Sequence, residues 1–414
     1  MHQHVDNEMI MSLRDWRLAV RTPTTFRVGS STFRIQTQFV TAVTIVGLIL
    51  LCIIYIYATP HRYKSSYQHI EEHEPQISKK ASKLGIALTS QVSPPRSNYN
   101  STYPLTPPVT TKIGVKYKIG LVSDMDQLSK SKTEGFAWIS YFLKGYIVWN
   151  RISNTVTALI DNTPVTLKSN LGESGRGMEL SELVVFNGKL YTFDDRTGII
   201  FEIDDENVIP WVMLTDGNGR TGKGFKSEWA AVKNEKLYVG GLGKEWTNHQ
   251  GETINLNPLW VKSISPTGEV NHSFWRDNYF TLRSTIGIEF PGYVSHEAAV
   301  WSDVHSRWFF LPRRCSKDRY NPDLDEKRAC NVLLSADEDF KDIKVTNVGE
   351  INPTHGFSSF RFIPGTSDKI IVALKSVEDS GVTETYIMAF DISGKILLEE
   401  TKVGNVKYEG IEFI

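Results

Sequence analysis

The sequence predicts an all-β body, a five-bladed β-propeller, preceded by one membrane-spanning helix. Three observations predict it. Residues Phe39 to Ala58 form a 20-residue run without a single charge. From residue 113 onward, apolar residues alternate or come in short runs bounded by turn residues, the period of strands. No stretch of 12 or more residues shows a helical apolar face, apart from a short one near Asp277–Ser284.

The elements follow in chain order. Residues 1–38 are polar and read as a cytoplasmic tail. At about 1.5 Å per residue, a helix over 39–58 covers roughly the 30 Å hydrocarbon core. Arg21, Arg27 and Arg34 precede the run without an acid, whereas Arg62 and Lys64 follow it among Glu71, Glu72 and Glu74. That asymmetry keeps the tail inside. Asn100-Ser101-Thr102 and Asn271-His272-Ser273 are glycosylation acceptors, both after the run. Together they describe a type II membrane protein. Residues 59–112, with SPPRSNYNSTYPLTPPVTT at their end, have the composition of a stalk that buries too little surface to fold alone. The body is residues 113–414.

Within the body, LVVF-NGK-LYTF-DDRTG-IIFEI (183–203) reads as three strands joined by tight turns. Residues 230–243, 299–314, 358–376 and 386–400 carry further hairpin-like units. Recurrence over some 300 residues points to radial repetition, which suppresses sheet edges; five blades take about 60 residues each. A large sandwich is the alternative. The last strand, KYEGIEFI, has no partner nearby, and the first strands of the body, around 138–149, lack an inner strand. Pairing the two closes the ring.

Charge and cysteine content exclude several functions. Lys+Arg total 46 against Asp+Glu 47, so no excess positive field exists to capture nucleic acid. Three cysteines exclude a four-cysteine metal site. Cys315 and Cys330 are the only pair in the body and flank a charged segment, making them candidates for a loop-closing disulfide. Gly217-x-x-x-x-Gly222-Lys223 has P-loop spacing, but Gly224 stands where a hydroxyl is needed. No G-x-S-x-G or H-E-x-x-H occurs, and His296 and His355 lack metal-ligand spacing.

Polar residues recur at strand starts: Ser181-Glu182, Glu228, Glu297, Ser358 and Glu409, at intervals from Glu182 of 46, 69, 61 and 51 residues. The inner strands of a propeller converge on its axis, so these side chains would meet there. Clustered carboxylates need a hard cation, and Ca²⁺ takes six to eight oxygen ligands. Surface carboxylates at strand starts are the competing explanation. Asp124-x-Asp126 places two more carboxylates on one side of an extended chain, and Asp194-Asp195-Arg196 reads first as a turn.

Several long segments together carry a resemblance. GRGMELSELVVFNGKLYTFDDRTG, GFKSEWAAVKNEKLYVGGLGKEWT, RWFFLPRR, THGFSSFRFIP, IIVALKS and KYEGIEFI occur in order from about Lys118 to Ile414. In these the chain resembles the calcium-activated nucleotidase (apyrase) family. The resemblance implies a five-bladed propeller with Ca²⁺ in its central tunnel. It implies hydrolysis of nucleoside di- and triphosphates, with inorganic phosphate among the products. Ser181, Glu228, Glu297, Ser358 and Glu409 match the family's calcium positions, and Glu182 joins them from the spacing series as a further metal candidate. Charge then orders the remaining roles: Asp124 or Asp126 positions the attacking water, with Glu179 and Asp194 as neighbouring candidates. Arg196 and Arg313 hold phosphates. The expected setting is the endoplasmic reticulum or Golgi lumen, with UDP and GDP as substrates; release by stalk cleavage and a homodimer stay open. A non-catalytic, calcium-stabilised binding propeller is the alternative function.

Overall fold

The computed structural model describes residues 24–28, 31–35, 46–48 and 99–414, and the chain divides into two units, Met1–Val92 and Ser93–Ile414. In the first, Thr24–Val28 and Ser31–Ile35 form an antiparallel hairpin and residues 46–48 are helical. The rest of the expected 39–58 span and all of the stalk before Tyr99 lie outside the described residues. Among the described residues no helix is long and apolar enough to cross a membrane.

The second unit is a five-bladed β-propeller. Four blades are four-stranded antiparallel sheets running outward in chain order from Leu180–Phe186, Trp229–Lys233, Tyr293–Ser302 and Gly356–Phe362. Local chemistry sets their turns: in the first of these blades Asn187 and Gly188 take φ of 50° and 71°, the paired left-handed conformation of a two-residue hairpin turn. The helix Arg276–Thr285 matches the short one expected near Asp277–Ser284.

The fifth blade joins both ends of this unit. Tyr408–Phe413 is its innermost strand and pairs antiparallel with Gly114–Ser123, which pairs in turn with Trp138–Asn150. The ring therefore closes through the last strand as expected, but one strand earlier than expected: residues 138–150 stand third from the axis. The body also starts before residue 113. Val109–Thr111 pairs with Gly114–Ser123, Leu105 packs against the wedge beside the closing blade, and the Tyr99 ring meets Phe186 at a tilt with centroids 5.5 Å apart. Residues 99–112, assigned to the stalk by their Pro/Ser/Thr composition, thus belong to the propeller.

Apolar packing is divided among five wedges, one between each pair of adjacent blades. The wedge between the second and third blades is the most aromatic, with Trp229 edge-on to Trp308 at 6.0 Å and to Phe310 at 6.2 Å. Because the wedges take the large side chains, the inner strands can present small or polar residues to the axis.

Candidate active site

Bulges in the inner strands deliver the polar series. In four blades the ladder between the inner strand and its neighbour skips residues: 181–182, 297–298, 358 and 409. A skipped residue is released from the alternation of the pleat and can be re-aimed; Glu297 and Glu409 turn into a shared pocket. Glu228 stands one position ahead of Trp229–Lys233 and donates its backbone N–H to Gly240.

All three axial glutamates line one open pocket of about 730 Å³, and all are buried or nearly so. Arg313 Nη1 binds both Glu297 and, at 2.7 Å, Glu409, and the Glu297 charge raises the pKa of both Glu228 and Glu409. Burial first, and then the Glu297 and Asp195 charges, push Glu228 up to about 8 despite the nearby Lys226 ammonium. Glu409 is likewise raised well above the carboxylate range by burial. Ser358 is fully buried and its Oγ has no hydrogen-bond partner, while the Ser181 hydroxyl donates to the Ser227 carbonyl at 2.6 Å and keeps its lone pairs. Three carboxylates around one pocket suit a hard divalent cation such as Ca²⁺, while Ser181 and Ser358 stand at the corresponding bulges of their own strands without lining that pocket.

Glu182 does not belong to this set. The skipped pair diverges, and Glu182 turns into a buried network with Ser359 Oγ at 2.7 Å and Arg361, which also binds Glu412 at 3.0 Å. Its carboxyl, raised to about 8 by burial, is structural. One residue of offset separates the Ser181 hydroxyl, bound to the Ser227 carbonyl, from a carboxylate holding the inner strands together.

Beside the axial carboxylates lies a second group. One oxygen each of Asp124, Asp126 and Glu179 falls within 4.8 Å of the others. Asp124 opens the turn after Gly114–Ser123 and binds Lys407 at 2.9 Å; Lys407 also binds Asp126 at 2.8 Å. Arg176 grips Glu179 through Nε at 2.6 Å and reaches Asp126 at 3.2 Å. Burial raises the Asp124 carboxyl, but the Lys407 ammonium outweighs it and holds Asp124 below the usual range. Glu179 goes the other way, lifted by burial to about 7 even with Arg176 bound.

Asp194 is not a member. It accepts from Met178 N at 2.9 Å, Arg196 N at 3.0 Å and Thr197 Oγ1 at 2.9 Å, organising the turn after Lys189–Asp194. Its neighbour Asp195 lines the pocket instead, paired with Lys226 and with Oδ1 unpartnered. Arg196 lines the pocket with its buried Nε unpartnered, as a phosphate ligand would. Arg313 also reaches the pocket, but bound to Glu297, to Glu409 at 2.7 Å and to Glu378 at 3.4 Å, so it is committed to two of the axial carboxylates.

The pocket cations Lys226, Lys407 and Arg176 were not anticipated. A signal for two of them exists: Lys226-Ser227-Glu228 and Lys407-Tyr408-Glu409 repeat K-x-E at the entry of an inner strand, and in an extended chain residues two apart share a side. The Lys226–Glu228 and Lys407–Glu409 distances are 2.8 and 3.6 Å. Cys315 and Cys330 are joined, Cα to Cα 5.3 Å, and the loop they close contributes Tyr320 and Asp325 to the pocket wall.

The fold and site define a class: a closed propeller whose inner strands bring carboxylates to one pocket, beside a cation-bridged acidic group. The apyrase family model matches residues 125–414, and the chain belongs to that family. It is 55% identical over 318 residues to soluble calcium-activated nucleotidase 1 of Rattus norvegicus, covering 77% of this chain and 79% of the relative. It is 48% identical over 320 residues to an apyrase of Cimex lectularius, covering 77% and 88%. An apyrase of Caenorhabditis elegans is 45% identical over 302 residues, covering 72% and 84%.

Proposed function

We propose that the chain is a calcium-dependent nucleotidase that hydrolyses nucleoside di- and triphosphates to the monophosphate and inorganic phosphate. The observation that carries this reading is the convergence of the axial glutamates and the Asp124–Asp126–Glu179 group on the same end of the propeller, with unpaired Arg196 beside them. A binding propeller needs the axial oxygens alone; a second acidic group with cations around it is what phosphoryl transfer to water requires.

Ser181, Glu228, Glu297, Ser358 and Glu409 would hold the cation, which supplies positive charge to neutralise phosphoryl oxygens. The chain's own groups do the rest. Asp124, kept ionised by Lys407, and Asp126 orient water through their oxygens. Glu179, raised to about 7, is matched to accepting a proton near neutral pH. Arg196 binds substrate phosphate. Phosphate release from UDP, GDP, ADP and ATP, with Ca²⁺ and with chelator, tests the reading. Calcium-dependent release supports it, and a folded protein that binds Ca²⁺ but releases none leaves the binding propeller.

For setting, we propose a type II protein of the endoplasmic reticulum or Golgi, with the propeller lumenal and UDP and GDP as its working substrates. Asn100 and Asn271 are both exposed, and the Cys315–Cys330 bridge requires an oxidising compartment. An endoglycosidase should shift the protein's mobility, and protease added to sealed microsomes should trim only the tail. Loss of the propeller in that digest would reverse the topology.

A further inference from the structure

We propose that Lys244 is a substrate-phosphate ligand and that Tyr320, on the disulfide-closed loop, is its positioning residue; the proposal rests on the nucleotidase reading above. Four pocket cations are committed to carboxylates: Arg176, Lys226, Arg313 and Lys407. Lys244 differs. It is 6% exposed and lines the same pocket, yet among the described residues no carboxylate oxygen lies within 4.0 Å of its ammonium. Its one hydrogen bond is a long one, 3.3 Å to the Glu245 carbonyl.

A buried ammonium with one weak acceptor is costly unless something compensates it. Here the compensation is aromatic: Nζ lies 4.2 Å from the Tyr320 ring centroid and 5.7 Å from that of Tyr293. A ring face attracts the cation but supplies no lone pair, so donors remain for an anion entering the pocket. Burial lowers the Lys244 pKa, and Asp325, Glu245 and Glu228 oppose that electrostatically.

Tyr320 is held by its loop. The Cys315–Cys330 bridge closes residues 316–329, and Arg328 Nη1 donates to the Arg319 carbonyl at 3.1 Å. Tyr293 hydrogen-bonds Asp325 of the same loop and its ring meets Tyr320 at 5.4 Å. At Gly251 a Cβ would stand 2.5 Å from the Tyr320 carbonyl, so the facing turn seats the loop closely. The bridge thus reaches the substrate through one ring and one ammonium.

The test is steady-state kinetics on a nucleoside diphosphate at saturating Ca²⁺, together with calorimetric binding of its methylene-bridged analogue. Losing a charge-assisted hydrogen bond corresponds to roughly 10- to 100-fold in affinity. Lys244→Met should raise KM by about that factor and weaken analogue binding alike, with kcat and the Ca²⁺ requirement little changed. Lys244→Arg should recover most of the loss. Tyr320→Leu should raise KM about threefold or more, Tyr320→Phe should not, and the Cys315→Ser/Cys330→Ser pair should follow Tyr320→Leu. An unchanged KM in Lys244→Met overturns the proposal. If that variant fails to fold, equal KM for Tyr320→Leu and Tyr320→Phe overturns it instead. Absence of phosphate release by the wild-type protein would mark failure of the nucleotidase reading itself, and analogue binding would still decide the role of Lys244.

Discussion

Glu228 and Lys262 show how burial sets the behaviour of single residues. Glu228 is among the axial carboxylates and carries no structural pairing beyond Lys226. Replacing it by Gln keeps the size and removes one charge from the cation site. Glu228→Gln should therefore raise the Ca²⁺ concentration for half-maximal phosphate release about tenfold or more, whereas Asp124→Asn should lower the rate at saturating Ca²⁺ with little change in Tm. Calcium titrations of activity and melting separate the two. Lys262 is fully buried against Phe225, with Nζ held by the Gly217 carbonyl and His272 Nδ1 at 3.0 Å. Burial pulls its pKa down from 10.5 to about 8, with Asp216 opposing. Between those values the unfolded chain binds a proton that the folded one does not, so this group's contribution to stability rises with pH across that window. Wild-type protein should gain Tm relative to Lys262→Met between about pH 8 and 10, and parallel Tm curves would refute the shift.

At the scale of elements, the bulged inner strands and the wedges are two halves of one arrangement. A regular inner strand would alternate its side chains between the two adjacent wedges. The skipped residues escape that alternation, while Leu183, Phe360 and Ile411, next to the bulges, remain fully buried in apolar contact. Close packing beside the bulges leaves little tolerance. At Gly240, the backbone partner of Glu228, a Cβ would lie 2.1 Å from the buried Trp229 indole. That ring is fixed by Tyr279, whose hydroxyl accepts from Nε1 at 3.1 Å, so it cannot retreat. Gly240→Ala should cost about 1–3 kcal/mol by overpacking, read from urea midpoints, and should also raise the Ca²⁺ requirement because Glu228 moves with it. A change in stability without any change in calcium dependence would separate the wedge from the site.

Across the whole molecule, closure ties the site to the fold. Tyr408–Phe413 supplies Glu409 to the axis, Glu412 to the Arg361 network, and Ile411 and Phe413 to a wedge. Its pairing partner lies nearly 300 residues earlier in the chain. Deleting residues 408–414 should therefore abolish cooperative melting of the propeller, and a truncated protein that still melted in one transition would show that closure is dispensable. Metal removal acts at the same scale. Without a cation the axial carboxylates repel one another, so chelation should lower both Tm and phosphate release, and Ca²⁺ should restore both better than Mg²⁺, which dehydrates reluctantly.

Much of this was legible in the chain. Alternating apolar runs determine the repeated antiparallel hairpins, because period and turn chemistry are local, and the unpartnered KYEGIEFI points to ring closure, although the strand it joins is set by the fold. The spacing of Ser181, Glu228, Glu297, Ser358 and Glu409 likewise marks one polar residue per blade. Tertiary structure alone decided what each of two adjacent residues touches. Glu182 beside Ser181, and Asp194 beside Asp195, differ by one step in a pleat whose register a bulge or turn resets, and no sequence period reports that reset. It also decided the charge partners. Arg313 reads as a phosphate ligand until the ring brings Glu297, Glu378 and Glu409 to it from three different strands. Ion pairing depends on distances of a few ångströms between residues far apart in the chain, and only the closed propeller sets those distances.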